Sequence, residues 1–322
     1  MSCGQTVSEV GEFGVIERAT RDRRHPAPTI LGPGDDAAIV AAPQGSVVVS
    51  TDMLVQGRHF RYDWSSAVDV GRKAIAQNGA DIAAMGARCT GFLVGLGCPP
   101  DTPVSVVDEL TDGFWLEAER AGAGVVGGDV VQTEMLVISI TALGDLDGHA
   151  PVLRSGAESG DVVAVAGRLG WSGAGLAVLA AGIDGYDGLV AEHRVPSVDY
   201  AQGPVAARAG ATSMTDVSDG LIADLTHICE ASSVAIDIEA ERLVVSDDLK
   251  AAATELGVAA LGWVLGGGED HALVGTFRAG SMLPDGWVMI GTVRGGSGVT
   301  VDDHAYGGSG GWSSFSTGVP TV

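Results

Sequence analysis

At 322 residues, 46% of them hydrophobic but with no apolar run long enough to span a membrane, the chain has room for two ordinary domains and reads as a soluble globular protein. Its 18 basic and 41 acidic residues give a formal charge of −23, which argues against nucleic acid or an anionic membrane surface as partner. A phosphorylated ligand stays open only if cations screen the carboxylates, because lysine occurs only at Lys73 and Lys250. The first two dozen residues lack the apolar core of a signal peptide, so a cytoplasmic location is expected. Cys3, Cys89, Cys98 and Cys229 form no CxxC or zinc spacing and are expected to be free thiols.

In chain order, a glycine-rich turn (GPGDDAAIV) leads into a strand at Val47 to Thr51, and helical periodicity runs from Ala67 to Met85. Thr90 to Leu96 reads as a strand. Val104 to Ala121 reads as an amphipathic helix with Val106, Val107, Leu110, Phe114 and Ala118 on its apolar side. Met135 to Leu143 is a long strand. Turn residues dominate from Gly144 to Asp161, which places a domain boundary there and divides the chain at 148/149. The second half opens with a strand at Val162 to Ala166, a glycine turn and a helix from Trp171 to about Ala181. Residues 183–203 read as surface loop. A short helix, the turn DVSDG, a helix from Leu221 to Ala231 and a strand at Val234 to Ile238 follow. Beyond a polar segment, GGGED leads into a strand ending at Phe277, and Trp287 to Val293 forms another; the tail from Gly295 is glycine-rich and polar. The alternation predicts an α/β fold.

Acidic residues within two positions of Gly, Ser or Thr recur at Asp35, Asp36, Asp52, Asp81, Asp129, Asp216, Asp219, Glu269 and Asp270. Adjacent carboxylates repel, and hard oxygen donors crowded together favour Mg2+ or Ca2+. A single GDD turn is weak evidence, since turns favour Gly and Asp for conformational reasons; the recurrence strengthens it. Asp81 could instead be a solvated helix residue, His59 a surface histidine, and Ser218 and Asp219 helix caps. Gly122, Gly124 and Gly127 spell GxGxxG, but a strand pattern follows where a dinucleotide fold needs a helix. GRLGWSGAG has strand-turn-helix context without the Gly-Lys-Ser/Thr of a P-loop; helix packing, or an anion at the helix start, would explain its glycines.

Taken together, GPGDDAAIV, VSTDMLVQGRHF, GRKAIAQNGADIAAMGA, GGD, VLRSGAESGD, DVSDGL and GGGEDHAL resemble thiamine-monophosphate kinase. That family lies in the superfamily of aminoimidazole ribonucleotide synthetase, selenophosphate synthetase and a hydrogenase maturation protein. The resemblance covers residues 32–273 in the family's order. It implies a two-domain α/β (α+β) fold of the aminoimidazole ribonucleotide synthetase type and a homodimer in which the N-terminal domains pair their sheets. It also implies ATP-dependent conversion of thiamine monophosphate to thiamine diphosphate with several Mg2+ ions. Residues 1–148 would bind ATP and Mg2+ and dimerise, and 149–322 would complete the nucleotide and substrate site. By position, Asp36, Ser50, Thr51, Asp52, Asp81, Asp129, Asp216 and Asp219 correspond to Mg2+ ligands. Gly128, Asp129, Arg154 and Ser218 correspond to nucleotide contacts, and His59, Glu269 and Trp312 to thiamine-phosphate contacts. His271 stands where the family commonly has an aromatic residue. Another ATP-dependent synthetase of the superfamily, or a non-catalytic Mg-nucleotide sensor, is the alternative; Cys3 lacks a selenophosphate synthetase context, and the chain ends in Val322 where the hydrogenase maturation protein ends in cysteine.

Overall fold

The structure, a computed structural model, describes residues 5–32, 38–308 and 311, apart from the side chains of 12 and 13. It divides into two compact units, Met1–Ile82 with Ala87–Gly148, and Ala83–Gly86 with His149–Val322.

Unit one contains α1 (Val7–Thr20), β1 (Thr29–Leu31), β2 (Ile39–Val40), β3 (Val48–Val55), α2 (Ala67–Ala84), β4 (Arg88–Cys98), α3 (Val104–Arg120), β5 (Val125–Gln132) and β6 (Val137–Asp145). Its four-stranded sheet has the order β3-β6-β4-β5, with β4 and β5 parallel and the other pairs antiparallel. Alternation along each strand separates two faces. Leu54, Phe92, Ile138 and Ile140 point to the helix side and are buried, whereas Val49 and Met53 remain 58% and 54% exposed on the other. The helix side is closed by α2 and by α3, whose Val107, Leu110, Phe114 and Ala118 supply the expected apolar stripe. Two glycines let these helices cross closely. A Cβ at Gly71 would lie 2.2 Å from the Leu110 carbonyl oxygen, and one at Gly113 equally near that of Val68.

Unit two contains β7 (Val162–Ala166), α4 (Trp171–Ala181), α5 (Asp187–Arg194), α6 (Gln202–Arg208), β8 (Ala211–Asp216), α7 (Leu221–Ser232), β9 (Ala235–Ile238), α8 (Asp247–Leu256), α9 (Ala260–Gly266), β10 (Leu273–Phe277), β11 (Trp287–Arg294), β12 (Gly298–Val301) and β13 (His304–Ala305). Its seven-stranded sheet runs β13-β12-β9-β11-β7-β10-β8, parallel only between β12 and β9.

The predicted strands and helices recur with shifted ends, and four segments differ. The N-terminal stretch forms α1. The expected loop at 183–203 holds α5, because Leu189 and His193 bury themselves beneath α4; a Cβ at Gly175 would lie 2.1 Å from the Leu189 carbonyl, so α4's glycines serve helix packing. The polar segment after β9 forms α8, capped by Ser246 accepting from the Leu249 N–H (3.2 Å), and α9. The glycine-rich tail contributes β12 and β13, with Val299 and Val301 packed on the core. Gly127 of the GxGxxG spelling lies inside β5, and β6 follows it. Cys89, Cys98 and Cys229 are free and buried.

Candidate functional site

In unit one Asp52 and Asp81 stand where β3 meets α2. β3 is an edge strand, so the Asp52 N–H points away from β6 and needs another acceptor. Asn78 Oδ1 accepts it at 2.9 Å, and Asn78 Nδ2 donates to the Ala74 carbonyl (2.9 Å), which fixes the amide. One turn further along α2, Asp81 Oδ2 accepts from Ser50 Oγ at 2.6 Å. Ser50, Asp52 and Asp81 thus share the helix side of the sheet.

Thr51 and Asp129 do not join them. Asp52 pairs with Ile140, Ile140 with Val94 and Val94 with Gly128, all on the helix side, whereas Asp129 aligns with Gly95, Ser139 and Met53 on the open face. Three strand spacings, about 14 Å, separate β3 from β5. Thr51 lies on the same open face, its hydroxyl donating to the Ile140 carbonyl (2.8 Å).

The loop after β3 carries His59. The Val55 N–H donates to His59 Nδ1 at 3.0 Å, so the neutral imidazole carries its proton on Nε2 and acts there as a donor.

In unit two, DVSDG follows β8 and GGGED precedes β10, and the two turns are tied together. The Glu269 N–H donates to the Ser218 carbonyl (2.7 Å) and the His271 N–H to that of Val217 (2.8 Å). Gly220 has φ +129° and a Cβ there would press on the Gly266 backbone, so glycine is required. Glu269 and His271 adopt left-handed φ of 64° and 51°, which persists only where surroundings over-determine it. Three side chains do so. His271 Nδ1 meets Asp216 Oδ2 at 3.0 Å, so His271 is a buried polar partner of Asp216. The Asp270 carboxyl group accepts from the N–H groups of Gly170 and Ser172 (2.9 Å for the latter), so the acceptor at the start of α4 is the protein's own. His193 lies 3.1 Å from Ser172 Oγ and 3.5 Å from Glu269 Oε2.

Asp219, Asp224 and His227 bring one ligand atom each within 4.8 Å of one another. Burial, with Asp216 adding repulsion, pushes the Asp224 carboxyl up to about 7, although it accepts from the Asp219 and Gly220 N–H groups. Burial likewise raises Asp219. Arg154 approaches the same turn, its Nε donating to Thr215 Oγ1 at 3.3 Å.

Asp36 and Trp312 lie outside the described residues. The motifs alone assign no role to Asp224, His227, His193, Lys73 or Asn78. The i,i+3 spacing of Asp224 and His227 on α7 was a readable signal; the bond from Ser172 to His193 is tertiary and leaves none.

Residues 34–146 match the family model for the N-terminal domain of AIR synthase related proteins. AaThiL complexed with AMPPCP and TMP superposes with a TM-score of 0.78 at 32% identity, over 96% of this chain and 99% of that one. These likenesses define a two-domain α/β protein of the AIR synthase related class. The thiamine-monophosphate kinase of Mycobacterium tuberculosis is 56% identical over 96% of this chain and 93% of its own length, and that of Corynebacterium glutamicum 43% identical over 97% and 96%. The chain belongs to the thiamine-monophosphate kinase family.

Proposed function

We propose that this chain transfers the terminal phosphoryl group of ATP to thiamine monophosphate, giving thiamine diphosphate and ADP. Its relatives carry the name of that activity, and AaThiL was solved with AMPPCP, a methylene analogue of ATP, together with TMP. The observation that carries the reading is the pair of carboxylate clusters, each built with its own scaffold: Ser50, Asp52 and Asp81 on β3 and α2, and Asp216, Asp219 and Asp224 around DVSDG.

These donor sets fit Mg2+. They are hard oxygens, and the raised carboxyls of Asp219 and Asp224 mark a place where negative charges crowd in a buried setting that a divalent cation would relieve. Asp36, Ser50, Thr51, Asp52, Asp81, Asp129, Asp216 and Asp219 would hold the ions, directly or through water. When bound, Mg2+ neutralises the phosphates and aligns donor and acceptor for in-line displacement. Gly128, Arg154 and Ser218 would contact the nucleotide, Arg154 through a planar guanidinium whose fork of donors suits phosphate oxygens. His59 would donate from Nε2 to the acceptor phosphate, and Glu269 and Trp312 would contact the thiamine side.

No general base is needed. A phosphate monoester with a second pKa near 6 is largely dianionic at neutral pH, so the oxygen that attacks carries no proton to remove; with donor and acceptor aligned by the cations, transfer would be direct, without a phosphoenzyme. A homodimer accords with the open sheet face, where Val49, Met53, Leu93 and Val131 are exposed; a second copy seated there would bring its own groups to Thr51 and Asp129. We place the enzyme in the cytoplasm; among the described residues no single helix is long and apolar enough to cross a membrane. A coupled ADP-release assay tests the activity: turnover that requires thiamine monophosphate supports it, and binding of Mg-ATP without turnover for any acceptor would leave a sensor.

A further inference from the structure

Lys73 is one of two lysines in the chain and is 2% exposed, whereas Lys250 is on the surface. Burying an ammonium is costly unless fixed acceptors replace its water. One acceptor is the main-chain carbonyl of His59, 3.3 Å from Lys73 Nζ. That carbonyl sits in a short loop already closed on itself. The Arg58 and His59 N–H groups both donate to the Val55 carbonyl (3.0 Å each), the Gly57 N–H donates to Phe60 O (2.9 Å), and Phe60 is anchored in the core. Val55 in turn orients the imidazole through Nδ1.

The same helix holds the acidic strand. Asn78 and Asp81 of α2 bind Asp52 and Ser50, and the eight residues from Lys73 to Asp81 span about 12 Å of helix. A single rigid element therefore sets both the carboxylates of β3 and the loop of His59. We infer that Lys73 is a positioning residue for the acceptor: its ammonium holds the His59 carbonyl so that Nε2 keeps its direction toward the acceptor phosphate. This rests on the reading of His59 as an acceptor contact.

The test is steady-state kinetics of the full-length enzyme with thiamine monophosphate and ATP varied separately, for Lys73→Met, His59→Ala and the double variant. Lys73→Met should raise KM for thiamine monophosphate roughly tenfold, as expected for loss of a hydrogen bond from a charged donor, with KM for ATP within about twofold. His59→Ala should behave alike, and the double variant should be no worse than the stronger single, because both act through one contact. An unchanged KM in His59→Ala would remove the reading of His59 itself, and this inference with it. If His59→Ala raises it while Lys73→Met does not, or raises both KM values equally, or if the two effects multiply, Lys73 has no positioning role. Should Lys73→Met fail to fold, Lys73→Gln is measured against the same criteria.

Discussion

The two carboxylate clusters are built by different means. In unit one, Ser50, Asp52 and Asp81 stand on a strand and a helix with ordinary backbone, and side-chain hydrogen bonds hold them. In unit two, Asp216, Asp219 and Glu269 stand on or beside turns that depend on Gly220 at φ +129° and on left-handed Glu269 and His271. Regular elements tolerate a lost side chain, because hydrogen-bonded backbone remains. A strained turn depends on what pins it, so in unit two stability and site geometry are coupled through the same residues.

The largest effect should come where the two designs serve the same end. Asp52→Asn and Asp216→Asn should each lower kcat/KM about a hundredfold or more, as expected if these carboxylates hold the proposed Mg2+. Only Asp216→Asn should also lower Tm, because it disturbs the partner of His271. Equal Tm losses in circular dichroism melts would erase the contrast.

Next in size, Gly220→Ala should destabilise by about 2–3 kcal/mol, from positive φ and contact with the Gly266 backbone. Chemical denaturation would register it, and a wild-type midpoint would mean the turn relaxes freely.

Asp270 gives a pH-dependent contrast. Burial pushes its carboxyl up to about 7, even though it accepts two backbone N–H groups. The native state therefore keeps a proton that the unfolded chain releases near pH 4. Its contribution is fully present below pH 4 and is lost as pH rises toward 7, with a slope of at most about 1.4 kcal/mol per pH unit. Asp270→Asn should flatten that part of the profile in chelated protein between about pH 4 and 7; an unaltered slope would show that the carboxyl is ionised throughout. The smallest expected effect is that of Ser172→Ala, about 1 kcal/mol from the lost bond to His193, with a few-fold rise in KM for thiamine monophosphate if His193 steadies Glu269.

The difference between the clusters also governs what could be read from sequence. The apolar alternation of VVVSTD and the periodicity of Ala67 to Met85 announced β3 and α2, and with them Asp52 and Asp81. The same alternation separates Thr51 from Asp52, and the cross-strand register places them on opposite faces of the sheet, although the resemblance makes both of them Mg2+ ligands. In unit two, DVSDG and GGGED flagged the turns, but not what pins them. Asp270 caps a helix 100 residues away in sequence, and His193 lies on α5, an eight-residue helix hidden in a glycine- and acid-rich stretch. Such short elements form because they bury Leu189 and His193, a tertiary cause that local periodicity does not carry.

The most direct measurement is thiamine diphosphate formation from thiamine monophosphate, ATP and Mg2+ by the purified chain, with Asp52→Asn and Asp216→Asn in parallel. The account predicts product from the parent and its loss in both folded variants. Full activity in either folded variant would contradict a role for that variant's carboxylate in the transfer, and no product from the parent with thiamine monophosphate would contradict the proposed acceptor.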